Sequence, residues 1–232
     1  MDTETRSEPP AHEPPDWADE TEQQLLTAAI PLAPTLGWNA RLVARAGEAV
    51  GLSAGEADLL LPNGARDLAA LFARRHDQAM MQALAEIDPA SLKIRERIRR
   101  AVEARLAAGA ADLEATRRCA GFLALPSSAP LGLRLAWESA DLIWRWAGDT
   151  ATDENHYSKR AILAGILIAT LAVRLKVGPE AASAQLAARI DNVMAFEKWK
   201  ATRKPSTLGA DLAGLLGRLR YGNDEPDTMA KS

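Results

Sequence analysis

Trp146-Ala147-Gly148-Asp149-Thr150-Ala151-Thr152-Asp153-Glu154-Asn155-His156-Tyr157-Ser158-Lys159-Arg160-Ala161 is a polar break between two apolar, helix-patterned segments. Upstream, Leu131, Leu133, Leu135, Trp137, Leu142 and Ile143 lead into it. Downstream runs an apolar stretch from Ala161 to Val173. Working outward, apolar residues recur at helical spacing almost everywhere and period-two alternation is scarce. Prolines fall between the periodic blocks, at Pro62, Pro89, Pro126, Pro130, Pro179 and Pro205. Each fits a helix boundary or first turn. The fold class is therefore all-α. The spacing predicts helices near 19–36, 40–50, 54–60, 65–87, 90–108, 111–124, 130–147, 154–176, 179–201 and 207–220.

Composition narrows the function classes. The 232 residues are 47% hydrophobic and 25% charged, with a net charge of -3, so no global basic character points to nucleic acid. The single cysteine, Cys119, excludes an intrachain disulfide. It sits among Ala120, Phe122 and Leu123 and reads as a small core residue. No apolar run reaches the ~20 residues that span a bilayer. Residues 1–22 hold Asp2, Glu4, Glu8, Glu13, Asp16, Asp19, Glu20 and Glu22 against Arg6 alone. That is the opposite of a basic transit peptide, and residues 1–21 read as a disordered acidic tail.

Residues 22–64 carry the next signal. Gly37-Trp38-Asn39 and Gly51-Leu52-Ser53 break three short helices, and Ser53 with Glu56 fits a capping box. Helix, helix, tight turn, helix is the helix-turn-helix order. The run through Leu25, Trp38, Gly47 and Ser53 resembles the amino-terminal domain of TetR-type regulators. The would-be recognition helix, Ala54 to Leu61, offers no Arg, Lys, Asn or Gln to base edges and presents Glu56 and Asp58. Phosphates would repel it, so no nucleic-acid partner is expected.

The polar break itself admits two readings. Asp149, Asp153, Glu154 and His156 form an oxygen-rich set, but no His-x-x-x-His or Glu-x-x-His pair accompanies them. No catalytic residue and no metal are expected. Tyr157 and Arg160 share a helix face, and with Trp144 and Trp146 nearby they form an aromatic-plus-arginine patch of the kind enriched at interfaces. The bland alternative is a core with an organised turn.

The run 161–173 is apolar all round and is expected at the centre of the bundle. Its small residues permit either close helix packing or a cavity for an apolar ligand. For a cavity, Ile162, Gly165, Ile166 and Ala169 would line one wall and Leu135 and Ile143 the other. Residues 65–201 are read as one helical domain, to which the family resemblance given below adds lipid binding and dimerisation.

Beyond a basic linker at 202–205, residues 206–222 form an amphipathic pattern. Leu208, Leu212, Leu215, Leu216 and Leu219 share an arc of about 100°. Gly209, Gly214 and Gly217 weaken the helix by ~1 kcal/mol each, so it should fold only against something apolar. Lys198, Lys200, Arg203 and Lys204 precede it, which suits an anionic membrane surface. Docking on protein is the alternative. Residues 223–232 are a second tail.

The pattern W-A-G-D-x-x-T-D-x-N-x-Y-x-x-R-A at 146–161, with Arg189-Ile190-Asp191-Asn192-Val193-Met194, resembles the Coq-nine family. Its members are lipid-binding accessory factors of ubiquinone biosynthesis. The resemblance implies a TetR-like homodimer without DNA binding or enzymatic activity, holding an isoprenoid or quinone-like lipid. It implies a patch that engages the di-iron demethoxyubiquinone hydroxylase. Carried over by position, that patch comprises Trp144, Gly148, Asp149, Thr152, Asp153, Asn155, Tyr157 and Arg160. It also implies a terminal helix on the membrane. His156 and Glu154 stand where family aromatics are usual. The acidic amino terminus departs from the mitochondrial members, which leads to the expectation of a bacterial cytoplasmic protein at the inner membrane. A ligand-responsive TetR-type regulator is the alternative.

Overall fold

A computed structural model describes the backbone of residues 17–149 and 154–202, and the side chains of 17–149 and 156–193. The described residues form an all-α bundle: α1 (Trp17–Ala29), α2 (Ala33–Leu36), α3 (Ala40–Ala49), α4 (Ala54–Leu60), α5 (Ala65–Leu84), α6 (Ile94–Ala108), α7 (Leu113–Leu123), α8 (Ala129–Trp146), α9 (Glu154–Lys176) and α10 (Pro179–Thr202). A 3-10 turn at Pro89–Ser91 precedes α6. The chain separates into two units, up to Leu186 and from Ala187 onward. The amphipathic segment at 206–222, with its five leucines, lies outside the described residues.

The predicted helix over 19–36 is two helices. Pro31 cannot donate a backbone hydrogen bond, and its ring crowds the carbonyl one turn back. The chain therefore turns at Ile30–Leu32 and restarts as α2 with Pro34 in its first turn. Elsewhere boundaries follow local chemistry. Asn39 caps α3, its Oδ1 accepting from the backbone N–H groups of Arg41 and Leu42. Ser53 and Glu56 form the expected capping box on α4, and their hydrogen bonds hold the Glu56 carboxyl below its usual range.

One core joins α1, α3, α5 and α7 through Leu25, Leu26, Trp38, Leu42, Leu68, Phe72 and Cys119. The Trp38 indole donates to the Ala115 carbonyl at 3.2 Å, giving its buried N–H a partner as burial requires. α5 carries the bundle's middle. It packs on α6 and on α8, and Asp77 accepts from the Arg105 guanidinium of α6 and from the Ser139 hydroxyl of α8. Beside it His76 is buried against the Phe72 ring. Burial, with the charges of Arg105 and Arg75, pushes His76 down to about 3. Burial pushes the Cys119 thiol up to about 12, which leaves no thiolate for chemistry at neutral pH.

α9 departs from the expectation of a central helix. Leu163, Ala164, Ile166, Leu167 and Thr170 are buried, on the side that packs against α8. The opposite side is open: Ile162 is 41% exposed, Ile168 is 44% exposed, and Ala161, Gly165 and Ala172 are exposed with them. An apolar sequence states that a helix can be covered on every side. It does not supply the neighbour that covers it.

Candidate interaction site at the α8–α9 connection

α8 ends in a Schellman turn. The Gly148 N–H reaches the Arg145 carbonyl at 3.0 Å, and the Asp149 N–H reaches the Trp144 carbonyl at 3.0 Å. Gly148 adopts φ +87°, a left-handed conformation that glycine accepts without steric cost. Arg97 arrives from α6 and donates to the Ala147 carbonyl at 2.6 Å. A cation on the free carbonyls at a helix C-terminus satisfies both hydrogen bonding and the helix dipole.

Arg160 is the hub. Its side chain is 2% exposed. Nε donates to Asp141 of α8 at 2.5 Å, and Nη1 donates to Asp149 at 3.1 Å and to the His156 carbonyl at 3.2 Å. Asp141 also takes Arg145 at 2.6 Å, and Asp149 takes Lys159 Nζ at 2.7 Å. The Asp149 side chain is 7% exposed. Burial alone would raise its pKa, but the hydrogen bonds and charges of Lys159 and Arg160 outweigh that and hold it below the usual carboxylate range. An ionised pair this deep survives only because nearly every lone pair and proton is matched. Trp144 adds a further tie. Its indole donates to the Lys159 carbonyl at 3.1 Å, and the Lys159 ammonium lies 5.4 Å from its ring centroid, within cation–π range.

The expected patch therefore divides. Asp149 and Arg160 are interior, and Arg160 could meet a partner only by abandoning two carboxylates. Trp144 is half-buried and Gly148 makes the turn. Tyr157 is 64% exposed. Thr152 and Asp153, and the side chain of Asn155, lie outside the described residues. Sequence reading missed Asp141 and Lys159. Asp141 carried one usable signal, an acid flanked by Ala140 and Leu142 four residues before Arg145. Arg97 carried none.

The six residues expected to line a lipid wall do not converge. Leu135 is buried against Ala70 and Ala73 of α5, and Ile143 and Ile166 are buried in the core. Ile162 and Gly165 face outward, and nothing lies within 4 Å of a Cβ built on Gly165. Ala169 is half-buried. The residues lie on different faces because Leu135 and Ile143 turn toward the interior while Ile162 and Gly165 occupy the uncovered side of α9. Two clefts are found elsewhere. One of about 410 Å³ lies between Pro31, Pro34 and the Asp112–Ala115 turn, and one of about 570 Å³ lies between Leu32, Leu36 and Ala49. Among the described residues, no group of three or more His, Cys, Asp or Glu could hold a metal ion. None of the described helices is long and apolar enough to cross a membrane.

Comparison with known proteins places this site in context. The COQ9 family model matches residues 129–197, which run from the start of α8 into α10. The ubiquinone biosynthesis protein COQ9, mitochondrial, of Bos taurus is 32% identical over 165 residues, 68% of this chain and 51% of that protein. The protein of the same name from Homo sapiens is 31% identical over 186 residues, 72% of this chain and 58% of that one. That from Xenopus tropicalis is 31% identical over 165 residues, 68% and 52%. The chain thus spans about half the length of these relatives. They are named as mitochondrial proteins of eukaryotes, which overturns the expectation of a bacterial cytoplasmic setting. That expectation stood on the acidity of residues 1–22, and net charge in one segment does not fix a compartment. The motif at 146–161, the match through α8–α10 and the identities over two thirds of its length together make this chain a member of the COQ9 family.

Proposed function

We propose that the chain serves ubiquinone biosynthesis as a non-catalytic accessory protein. It holds a polyprenyl quinone intermediate and presents it to the demethoxyubiquinone hydroxylase at a membrane. The observation that carries this reading is the family match through α8–α10, the segment that contains both an exposed tyrosine beside the ion pairs of Arg160 and an uncovered apolar helix face. The relatives' names supply the pathway. The ion pairs of Arg160 tie the described start of α9 to α8, which lowers the ordering cost of association.

The open side of α9 supports the apolar part of the reading. Ile162, Gly165 and Ile168 offer a prenyl tail, or a second copy of the chain, a face without charge. The homodimer and the lipid both draw on that face, while Leu208, Leu212, Leu215, Leu216 and Leu219 would meet the membrane. The buried ionisable groups support a non-catalytic role: His76 is neutral, Cys119 is a thiol, and Asp77, Asp141 and Asp149 are tied in ion pairs.

The deciding experiment is mass spectrometry of lipids extracted from the purified protein. A stoichiometric isoprenoid or quinone precursor is expected. Bulk phospholipid alone, at substoichiometric amounts, would remove the carrier role.

A further inference from the structure

The cleft of about 410 Å³ where α1, α2, α5 and α7 meet holds two charges that the fold leaves unmatched. Arg75 of α5 and Asp112, the residue before α7, both line it and are both half-buried. Neither side chain forms an ion pair or hydrogen bond within the described chain, and the Asp112 carboxylate does not cap α7. The other acid of the cleft, Glu114, is already engaged by Arg117 at 3.1 Å and Arg118 at 3.2 Å. Among the lining residues Arg75 is the only Lys or Arg. Withdrawing an ionised group from water without a partner costs free energy, and here a cation and an anion share one cavity without pairing. The remaining wall is apolar. Ile30, Pro31 and Pro34 come from the break between α1 and α2, and Leu113 opens α7. Pro31, which splits the first helix, thus also shapes the cleft.

We infer that this cleft binds a free α-amino acid with an apolar side chain, its carboxylate on Arg75, its ammonium on Asp112 and its side chain against Ile30, Pro31, Pro34 and Leu113. Charge selects that occupant. A simple anion would meet Asp112 and a simple cation would meet Arg75, whereas a zwitterion satisfies both. A guanidinium takes a carboxylate through two parallel N–H···O bonds, and an ammonium has three donors and needs acceptors. Size agrees, since small-molecule clefts of ~300–1,000 Å³ join apolar walls to a few placed polar groups. The cleft is built by α1, α2, α5 and α7, so the inference does not depend on the function proposed for α8–α10.

The test is calorimetric titration of the full chain with L-leucine and with two probes that each lack one charge, 4-methylpentanoate and 3-methylbutylamine. L-leucine is expected to bind about tenfold tighter than either, or more. Asp112→Asn should erase its advantage over 4-methylpentanoate, and Arg75→Gln its advantage over 3-methylbutylamine. A residue that only supports the fold would weaken all three probes alike. Arg75→Lys keeps the charge and loses the fork, so it should bind L-leucine with an intermediate loss, and it serves if Arg75→Gln does not fold. No heat from L-leucine at about 10 mM, or equal affinity of the unaltered protein for L-leucine and 4-methylpentanoate, would overturn the inference. So would an Asp112→Asn variant that keeps the full preference for the zwitterion.

Discussion

The turn after α3 and the turn after α8 share one backbone design and differ in what fixes it. In the first, the Gly51 N–H bonds to the Glu48 carbonyl and the Leu52 N–H to that of Gly47, with Gly51 at φ +78°. In the second, Gly148 and Asp149 repeat the pattern at φ +87°. The residue after the glycine is apolar Leu52 in one and buried Asp149 in the other. The first turn is finished locally by Ser53 and Glu56, both exposed. The second draws Arg97 from α6 and Arg160 and Lys159 from α9. Leu52 gains by being buried, whereas Asp149 must be compensated by charges brought from a distance. A turn that accepts that requirement holds its neighbours in one arrangement, which suits a surface that must be recognised.

The largest expected effect tests this compensation. Arg160→Met keeps much of the volume but leaves Asp141 and Asp149 without their shared cation. Asp141 keeps Arg145 and Asp149 keeps Lys159, so the loss is that of charged hydrogen bonds rather than of all compensation, about 2–3 kcal/mol, to be read from urea unfolding at neutral pH. Ser53→Ala at the other turn removes a cap and should cost about 1 kcal/mol. Equal losses would break the comparison and reduce the Arg160 network to decoration.

Acid sharpens it further, once a stronger titration is removed. His76 is held neutral at a pKa of about 3, below the usual 6.5. A depressed histidine contributes stability that is full above the unfolded value and lost as pH falls toward the folded one. At pH 4 that loss amounts to about 3 kcal/mol, and His76→Leu should abolish it. The Asp149 carboxylate is also depressed. Its contribution persists above the ordinary aspartate range near 3.9 and fades only below it. In the His76→Leu background, stability should therefore stay nearly flat to about pH 4 and then fall. A variant that still loses stability steadily from pH 6.5 would refute the assignment to His76.

The two turns also divide what the sequence made legible. Gly51, Leu52, Ser53 and Glu56 lie within six residues, and every bond that completes their turn is local, so a capping box could be read directly. The helical period likewise revealed the bundle. The breaking of the first helix at Pro31 was visible in the residue and missed. Arg160 was legible as a polar group on a helix face, but its inward orientation was not. Its partner Asp141 lies 19 residues upstream, and Arg97 reaches a carbonyl 50 residues away. Nothing in local periodicity encodes such pairings. The same limit applies to α9: composition announced an apolar helix, and only packing showed that Ile162 and Ile168 lack cover. The residues named for a lipid wall lie on different faces, because their grouping required knowing which faces of α8 and α9 meet.

The smallest expected effect bears most directly on the shared backbone. Gly51→Ala and Gly148→Ala each force a Cβ into the left-handed region, at a cost of roughly 1–2 kcal/mol. A Cβ at Gly51 meets nothing within 4 Å, and one at Gly148 lies 3.4 Å from Arg97 Nη1, the far end of a side chain that can shift. The two variants should therefore lose similar stability, within about 0.5 kcal/mol of each other, near the noise of non-coupled substitutions. Parity would mean that the Schellman backbone is the same element in both places and that the ion pairs are laid over it. A loss at Gly148 several times that at Gly51 would mean that the turn and the network form one cooperative unit. In that case displacing Arg97 would already disturb Asp149 and Arg160, and the hold of the ion pairs on α8 and α9 would begin at α6.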